Sequence, residues 1–118
     1  MSKDSPIKQS DNWFIGEDRT LRFSVVDSEG LAQNVSGWTL EWVLRERPWG
    51  TQPLITKTTG AGITITNAAG GVCEVVVADD DTISLAPGAY FHTLRRTNAG
   101  AETVLAFGDA VLQQPATR

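Results

Sequence analysis

The sequence contains only one cysteine and one histidine among its 118 residues. A single cysteine, Cys73, excludes an intrachain disulfide, so packing must stabilise the fold. One Cys and one His do not supply the four N or S ligands of an ordinary zinc site. No serine stands in a G-x-S-x-G context, so a catalytic triad built on His92 has no nucleophile. We therefore expect no cofactor, no metal site and no enzymatic activity, with Cys73 buried and His92 held by a hydrogen bond within a strand.

The sequence also lacks long apolar runs and an excess of basic residues. Its apolar stretches fall far short of the roughly 20 residues needed to cross a bilayer. The first residues lack the apolar core of a signal peptide. The formal net charge is −4, which repels phosphate and provides no counterion release on nucleic acid. We expect neither a membrane nor a nucleic acid as partner, and synthesis in a cytoplasm.

Helical periodicity is scarce, whereas strand patterns extend over most of the chain. Apolar and polar residues alternate between glycine-rich turns, which predicts seven strands, at 20–26, 38–45, 54–58, 63–67, 72–77, 89–97 and 103–112. Strands of this length and spacing are typical of a small all-β fold, an immunoglobulin-like antiparallel β-sandwich of about seven to eight strands. The predicted domain spans residues 13–114. A polar arm at 1–12 precedes it and a short tail at 115–118 follows it.

Two local features interrupt the predicted strands. The alternation stops between Asp79 and Leu85, which predicts one helical turn with Ile83 and Leu85 pointing inward. Its three adjacent aspartates could cap that turn or begin a calcium site; capping is the simpler interpretation because their spacing does not match an EF-hand loop. Gly108, inside the last strand, predicts a β-bulge.

A loop rich in arginine and tryptophan follows the second strand. In the segment RERPWG, Arg45, Arg47 and Trp49 are residue types common in protein interfaces. Trp49 either folds back over a sheet edge or contacts a partner, and Trp13 has the same two alternatives. Together with the arm residues Lys3, Ile7 and Lys8, these positions form the predicted partner interface.

The order of motifs resembles a known family. The chain contains GEDRTLRFSVVDSEG, then NVSGWTLEWVLRER, ITITNAAGGVCEVVV, the acidic turn ADDDTISL, and APGAYFHTLRRTNAGAETVLAFGDAVL. This order, over residues 16–112, resembles the small β-sandwich domain of tailed-bacteriophage virion proteins, notably the N-terminal domain of baseplate upper proteins. The matching positions are turn glycines and core residues: Asp27 with Gly30, the stretch 35–45, Gly71-Val72, the stretch 85–90, and Gly108.

The resemblance implies a non-enzymatic virion protein, made in the bacterial cytoplasm, whose partners are phage capsid or tail proteins. Because the sequence stops shortly after the last strand, without the extension that reaches the fibre in the baseplate proteins, we expect a capsid decoration or cement protein. Self-association around a symmetry axis is also expected. One alternative is a tail or baseplate adaptor for a fibre or receptor-binding protein. Another is a carbohydrate-binding module in which Trp13, Trp49 and Tyr90 stack on sugars.

Overall fold

The computed structural model describes residues 7–27, 29–47 and 52–114. These residues form nine strands and one helical turn, and the all-β expectation is confirmed. The elements are β1 (Ile7–Lys8), β2 (Asp11–Phe14), β3 (Arg19–Ser24), β4 (Leu40–Arg45), β5 (Ile55–Thr59), β6 (Gly62–Asn67), β7 (Val72–Val77), α1 (Asp79–Thr82), β8 (Gly88–Arg96) and β9 (Thr103–Gln113). Strands β3 to β9 lie within two residues of the seven predicted strands.

The strands form two layers that are joined at one edge. Hydrogen bonding runs in the order β1-β9-β8-β4-β5-β6-β7-β3, and β2 also pairs with β9. The connection between the layers is a short parallel pairing of β5 with β6, in which Thr58 and Thr59 lie opposite Gly62 and Ile63. The far end of the path folds back, because the rings of Phe23 on β3 and His92 on β8 are 6.0 Å apart. The result is an immunoglobulin-like sandwich with β5, β4, β8 and β9 in one layer and β6, β7 and β3 in the other.

The core lies between these layers and follows from strand alternation. On β3 the expected inner residues Leu21 and Phe23 are buried, with Val25 just beyond the strand. On β4 the inner residues Leu40, Trp42 and Leu44 are buried, as predicted for a central strand, while Trp38 is half-buried at the margin. Strands β6 and β7 form an antiparallel hairpin, with Ile63 opposite Val75 and Ile65 opposite Cys73.

The expected arm at residues 1–12 does not lie wholly outside the domain. Residues 7–8 and 11–14 pair in parallel with β9, placing Ile7 opposite Ala106 and Trp13 opposite Leu112. Between the two short strands, the Gln9 N–H donates to the carbonyl oxygen of Phe107 at 2.8 Å. Residues on both sides of the predicted boundary at 12 therefore belong to the same edge of the sheet, to which they add two strands. Residues 1–6 of the arm and the tail at 115–118 lie outside the described residues.

The prediction of a β-bulge at Gly108 is wrong. Gly108 pairs in register with His92, and the irregularity of the β8–β9 ladder lies between Leu94 and Arg95. Glycine is required at 108 for another reason: a Cβ there would overlap the backbone carbonyl of Gln9, which crosses directly over it. Backbone approach of this kind is one of the standard roles of glycine inside a strand.

Substituting Gly108 with alanine is expected to destabilise the fold by about 2 kcal/mol or more, because the Gln9 backbone must move away from β9. Chemical denaturation monitored by tryptophan fluorescence measures this change. Gly70→Ala is the matched control, because the three atoms nearest its added Cβ belong to the Asn67 side chain, so that at most one exposed hydrogen bond and no backbone has to move. Equal midpoints for the two variants would contradict the close-approach role of Gly108.

Candidate functional site

The residues predicted to contact a partner are distributed over several parts of the domain. Lys3 and Trp49 lie outside the described residues, and for Ile7 only the backbone in β1 is described. Lys8 is exposed on β1, while Arg45 is half-buried at the end of β4 and Arg47 is exposed just beyond it. The structure therefore does not bring the predicted interface together as one described site.

Trp13 is a core residue and not a surface anchor. Its side chain is 2% exposed, because the alternation of β2 turns it inward beside β9. Its indole Nε1 has no hydrogen-bond partner among the described residues. Tyr90 is also buried, and its hydroxyl donates to the Ala86 carbonyl oxygen at 2.6 Å. Of the three aromatic residues expected to stack on sugars, Trp13 and Tyr90 are thus unavailable, and Trp49 lies outside the described residues.

His92 is fully buried and both of its ring nitrogens are hydrogen-bonded. The Trp42 indole can only donate, and its Nε1 lies 3.0 Å from His92 Nδ1, so Nδ1 is the acceptor. The proton is then on Nε2, which donates to the Gln9 carbonyl oxygen at 2.7 Å. Burial lowers the pKa of His92 below its usual 6.5, against smaller raising effects of the Gln9 bond, Asp11 and Asp109. The expectation of a hydrogen-bonded histidine within a strand is confirmed.

Cys73 is buried on β7, as expected for a packed thiol. Burial, with a smaller effect from the charge of Glu74, raises the pKa of the Cys73 thiol to about 11. Because the thiolate is the reactive form, this thiol is inert at neutral pH in the folded protein.

The acidic turn caps α1 and fixes it against the β2–β3 connection. Asp81 accepts the Ala78 N–H at 2.7 Å and forms an ion pair with Lys57 at 2.8 Å. Asp18 accepts the Asp79 N–H at 2.8 Å. These contacts match the capping interpretation of the aspartates.

The expectation for the residues after the helical turn is only partly correct. Ile83 was expected to point inward, but it is 50% exposed. Thr82 is buried in its place and accepts the Gly16 N–H at 2.9 Å. Leu85 packs against the core as expected.

Two exposed apolar residues lie on neighbouring segments at this end of the domain, which we name the α1 end. Phe14, 44% exposed, and Ile83 belong to the two segments 14–18 and 79–83, which the Gly16–Thr82 and Asp18–Asp79 hydrogen bonds tie together. The same segments contain five carboxylates and no Lys or Arg. The α1 end therefore combines exposed apolar side chains with a negative border.

A second surface is the solvent side of the layer that contains β4, β8 and β9, which we name the outer face. Alternation opposite the core places nine side chains there: Glu41, Val43, Arg45, Phe91, Thr93, Arg95, Phe107, Asp109 and Val111. The rings of Phe91 and Phe107 lie 6.3 Å apart. Arg95 donates to Glu41 at 3.0 Å.

Sequence reasoning assigned no role to Phe91 and Phe107. The signal was present in the alternation itself: if Tyr90, His92 and Leu94 face inward, Phe91 must face solvent. A pair of half-buried aromatic rings in the middle of a solvent-facing sheet is a feature common in interfaces.

The neutral, buried form of His92 predicts a pH dependence of stability. As the pH drops below about 6.5, the unfolded chain binds a proton that the buried imidazole takes up only at lower pH, so the free energy of unfolding falls. The contribution of His92 to this loss of stability is complete once the pH is below the lowered pKa of the folded state. Above about pH 6.5, His92 contributes no pH dependence. Urea titrations at about pH 7.5 and 5.5 measure the slope. His92→Gln should lose this part of the slope; equal slopes in both proteins would contradict the assignment.

No protein-family model matches the chain, and no curated protein matches its sequence. Its fold is similar to a solved structure described as the N-terminal domain of phage TP901-1 ORF48. That superposition has a TM-score of 0.54 and 11% identity, over 93% of this chain and 86% of that one. Two marsupial T cell receptor structures give TM-scores of 0.48 and 0.47 at 9% and 11% identity, and the chain covers about half of each, 53% and 52%. At these identities the similarity is one of fold.

Within the described ranges, no helix is long and apolar enough to cross a membrane.

Proposed function

We propose that the chain is a structural protein of a tailed-phage virion that acts by binding other virion proteins. The observation that supports this most is the similarity of fold to the N-terminal domain of phage TP901-1 ORF48, which extends over 93% of the chain. The order of turn glycines and core residues resembles virion β-sandwich domains over nearly the same part of the sequence. The fold and the order of motifs therefore suggest the same class of protein.

A role without catalysis is the simpler proposal for the side chains that could react. His92 has both ring nitrogens in hydrogen bonds inside the core. Cys73 is buried with its pKa raised to about 11. Neither side chain is in a position to take a proton from a bound substrate or to attack it.

The α1 end is the surface that we assign to the virion partner. Phe14 and Ile83 supply apolar area whose burial contributes roughly 25 cal/mol per Å² before the cost of association. The carboxylates around them, including Glu17, Asp79 and Asp80, favour a partner whose apolar contact is bordered by Lys or Arg. Many copies on a symmetric particle add avidity to a weak single contact. For Lys3, Ile7, Lys8, Arg45, Arg47 and Trp49, a contact with the partner stays a prediction.

Within the virion, we propose a position on the capsid exterior, where the chain decorates the assembled shell. The alternative position is the tail, as an adaptor for a fibre or receptor-binding protein. Mass spectrometry of heads and tails separated on a gradient distinguishes the two. We expect the chain with heads. Recovery with tails would replace decoration by the adaptor role, and absence from both fractions would contradict the virion proposal itself.

Truncating the two apolar residues of the α1 end tests its role. Phe14→Ser combined with Ile83→Ser should reduce the copies bound per particle roughly tenfold or more, because truncating an interface anchor costs over about 1 kcal/mol. Quantitative mass spectrometry of particles incubated with purified protein measures the occupancy. The fold should persist, since both side chains are about half exposed.

Val104→Ser is the matched control, because Val104 is 42% exposed and lies at the start of β9, remote from the α1 end. Its occupancy should equal that of the unmodified chain. If the double variant binds particles as well as the control does, the α1 end is not the docking surface.

A further inference from the structure

The outer face contains a row of three residues whose charges are arranged symmetrically about an aromatic ring. On adjacent strands, Arg45 of β4 lies directly opposite Phe91 of β8, and Phe91 lies directly opposite Asp109 of β9. Neighbouring strands are about 4.8 Å apart. A positive and a negative side chain therefore flank Phe91 at equal spacing on its two sides.

The next row of the outer face is uncharged on β4, β8 and β9, and exposed Lys8 of β1 lies beyond its end, opposite Phe107. Val43 lies opposite Thr93, and Thr93 lies opposite Phe107. Val43 is only 5% exposed, so Thr93 and Phe107 provide the accessible surface of this row. The midline of the face therefore follows β8 through Phe91 and Thr93. The charge that comes next on β8 is Arg95, which is already paired with Glu41 of its own chain.

We propose that the outer face packs against the same face of a second copy of this chain, about a two-fold axis parallel to β8. Rotation about such an axis exchanges the β4 side with the β9 side and keeps each residue at its level along the strands. Asp109 of each copy then lies over Arg45 of the other, which gives two equivalent ion pairs. Phe91 meets Phe91 on the axis, and Thr93 meets Thr93 one row along, with Phe107 of each copy beside it.

The arrangement of charges selects this axis over the other in-plane choice. An axis perpendicular to the strands would place Arg45 over Arg45 and Asp109 over Asp109, and like charges in contact oppose association. A self-complementary surface of this kind is what an isologous dimer requires, with apolar residues at the centre and charges at the side. Arg45 also makes contacts within its own chain, so Asp109 of the second copy adds to an existing set of partners.

Charge reversal tests the pairing. Sedimentation equilibrium should show a concentration-dependent dimer for the unmodified chain. Asp109→Arg and Arg45→Asp should each weaken it, raising the dissociation constant by at least about tenfold, because two attractive contacts become repulsive. The double variant restores both pairs with exchanged signs and should recover most of the affinity. Glu29→Arg, the same change of charge at an exposed residue of the β3–β4 connection, is the control for Asp109→Arg and should leave the dimer intact.

Cross-linking locates the axis independently of charge. Cys73 is buried and unreactive, so an introduced cysteine is the one reactive thiol of the folded protein. Thr93→Cys lies on the proposed axis and should form a disulfide dimer under mild oxidation. Thr64→Cys, exposed on β6 in the other layer, should form no disulfide-linked dimer.

A chain that stays monomeric at all concentrations would overturn the proposal. So would a dimer that both single reversals leave unchanged, a double variant that is weaker than either single one, or equal cross-linking of Thr93→Cys and Thr64→Cys. These outcomes are separate from the test of virion assignment, which measures recovery with heads or tails. A monomer found on particles would remove the dimer and leave the virion role in place.

Discussion

The structure depends on the place where the chain crosses from β1 to β2 over β9. There the Gln9 carbonyl oxygen accepts the His92 Nε2 proton at 2.7 Å, and it approaches so closely that position 108 must be glycine. His92 in turn accepts the Trp42 indole N–H at 3.0 Å. Since the imidazole also contacts the Phe23 ring across the sandwich, one neutral histidine connects the N-terminal strands, both layers and the centre of the core. Leaving any of these buried groups without its hydrogen bond would lower the free energy of unfolding, because a buried polar group without a partner is not solvated by water.

The contact between the layers at this point is non-covalent, whereas antibody-type domains join their layers by a disulfide. In those domains, strands B and F are joined by cysteines, a tryptophan of strand C packs on the bridge, and a tyrosine two residues before the second cysteine bonds to the backbone upstream. Here β3, β4 and β8 supply Phe23, Trp42 and His92, and Tyr90 bonds to the Ala86 carbonyl. The contact between the Phe23 and His92 rings crosses between the layers, and two hydrogen bonds hold the His92 ring in place. A core of this kind forms without an oxidising compartment.

The seven strands from β3 to β9 could be predicted because most of them alternate apolar and polar residues and because glycine or asparagine turns separate them. The strands β1 and β2 could not be predicted, since they are only two and four residues long. They pair in parallel with a strand distant in sequence, so no hairpin turn indicates their position. Trp13 was ambiguous for the same reason: its burial depends on β9. The bulge at Gly108 was predicted from the pattern of β9 alone, whereas glycine is needed there because the Gln9 backbone crosses over it. The arrangement of the outer face could not be predicted without the pairing register of the strands. The sequence indicates that Phe91 points outward, but not that Arg45 and Asp109 lie on its two sides.

The parallel pairing of β1 and β2 with β9 has a mechanical consequence. A pull on the chain before Ile7 and on the chain after Gln113 would act in opposite directions along strands that run the same way. The hydrogen bonds between Ile7–Phe14 and Ala106–Gln113 would then be loaded together, in shear, and would have to break as a group. An antiparallel hairpin pulled from its two ends opens one bond at a time. This edge of the domain is therefore built to resist tension transmitted through its backbone.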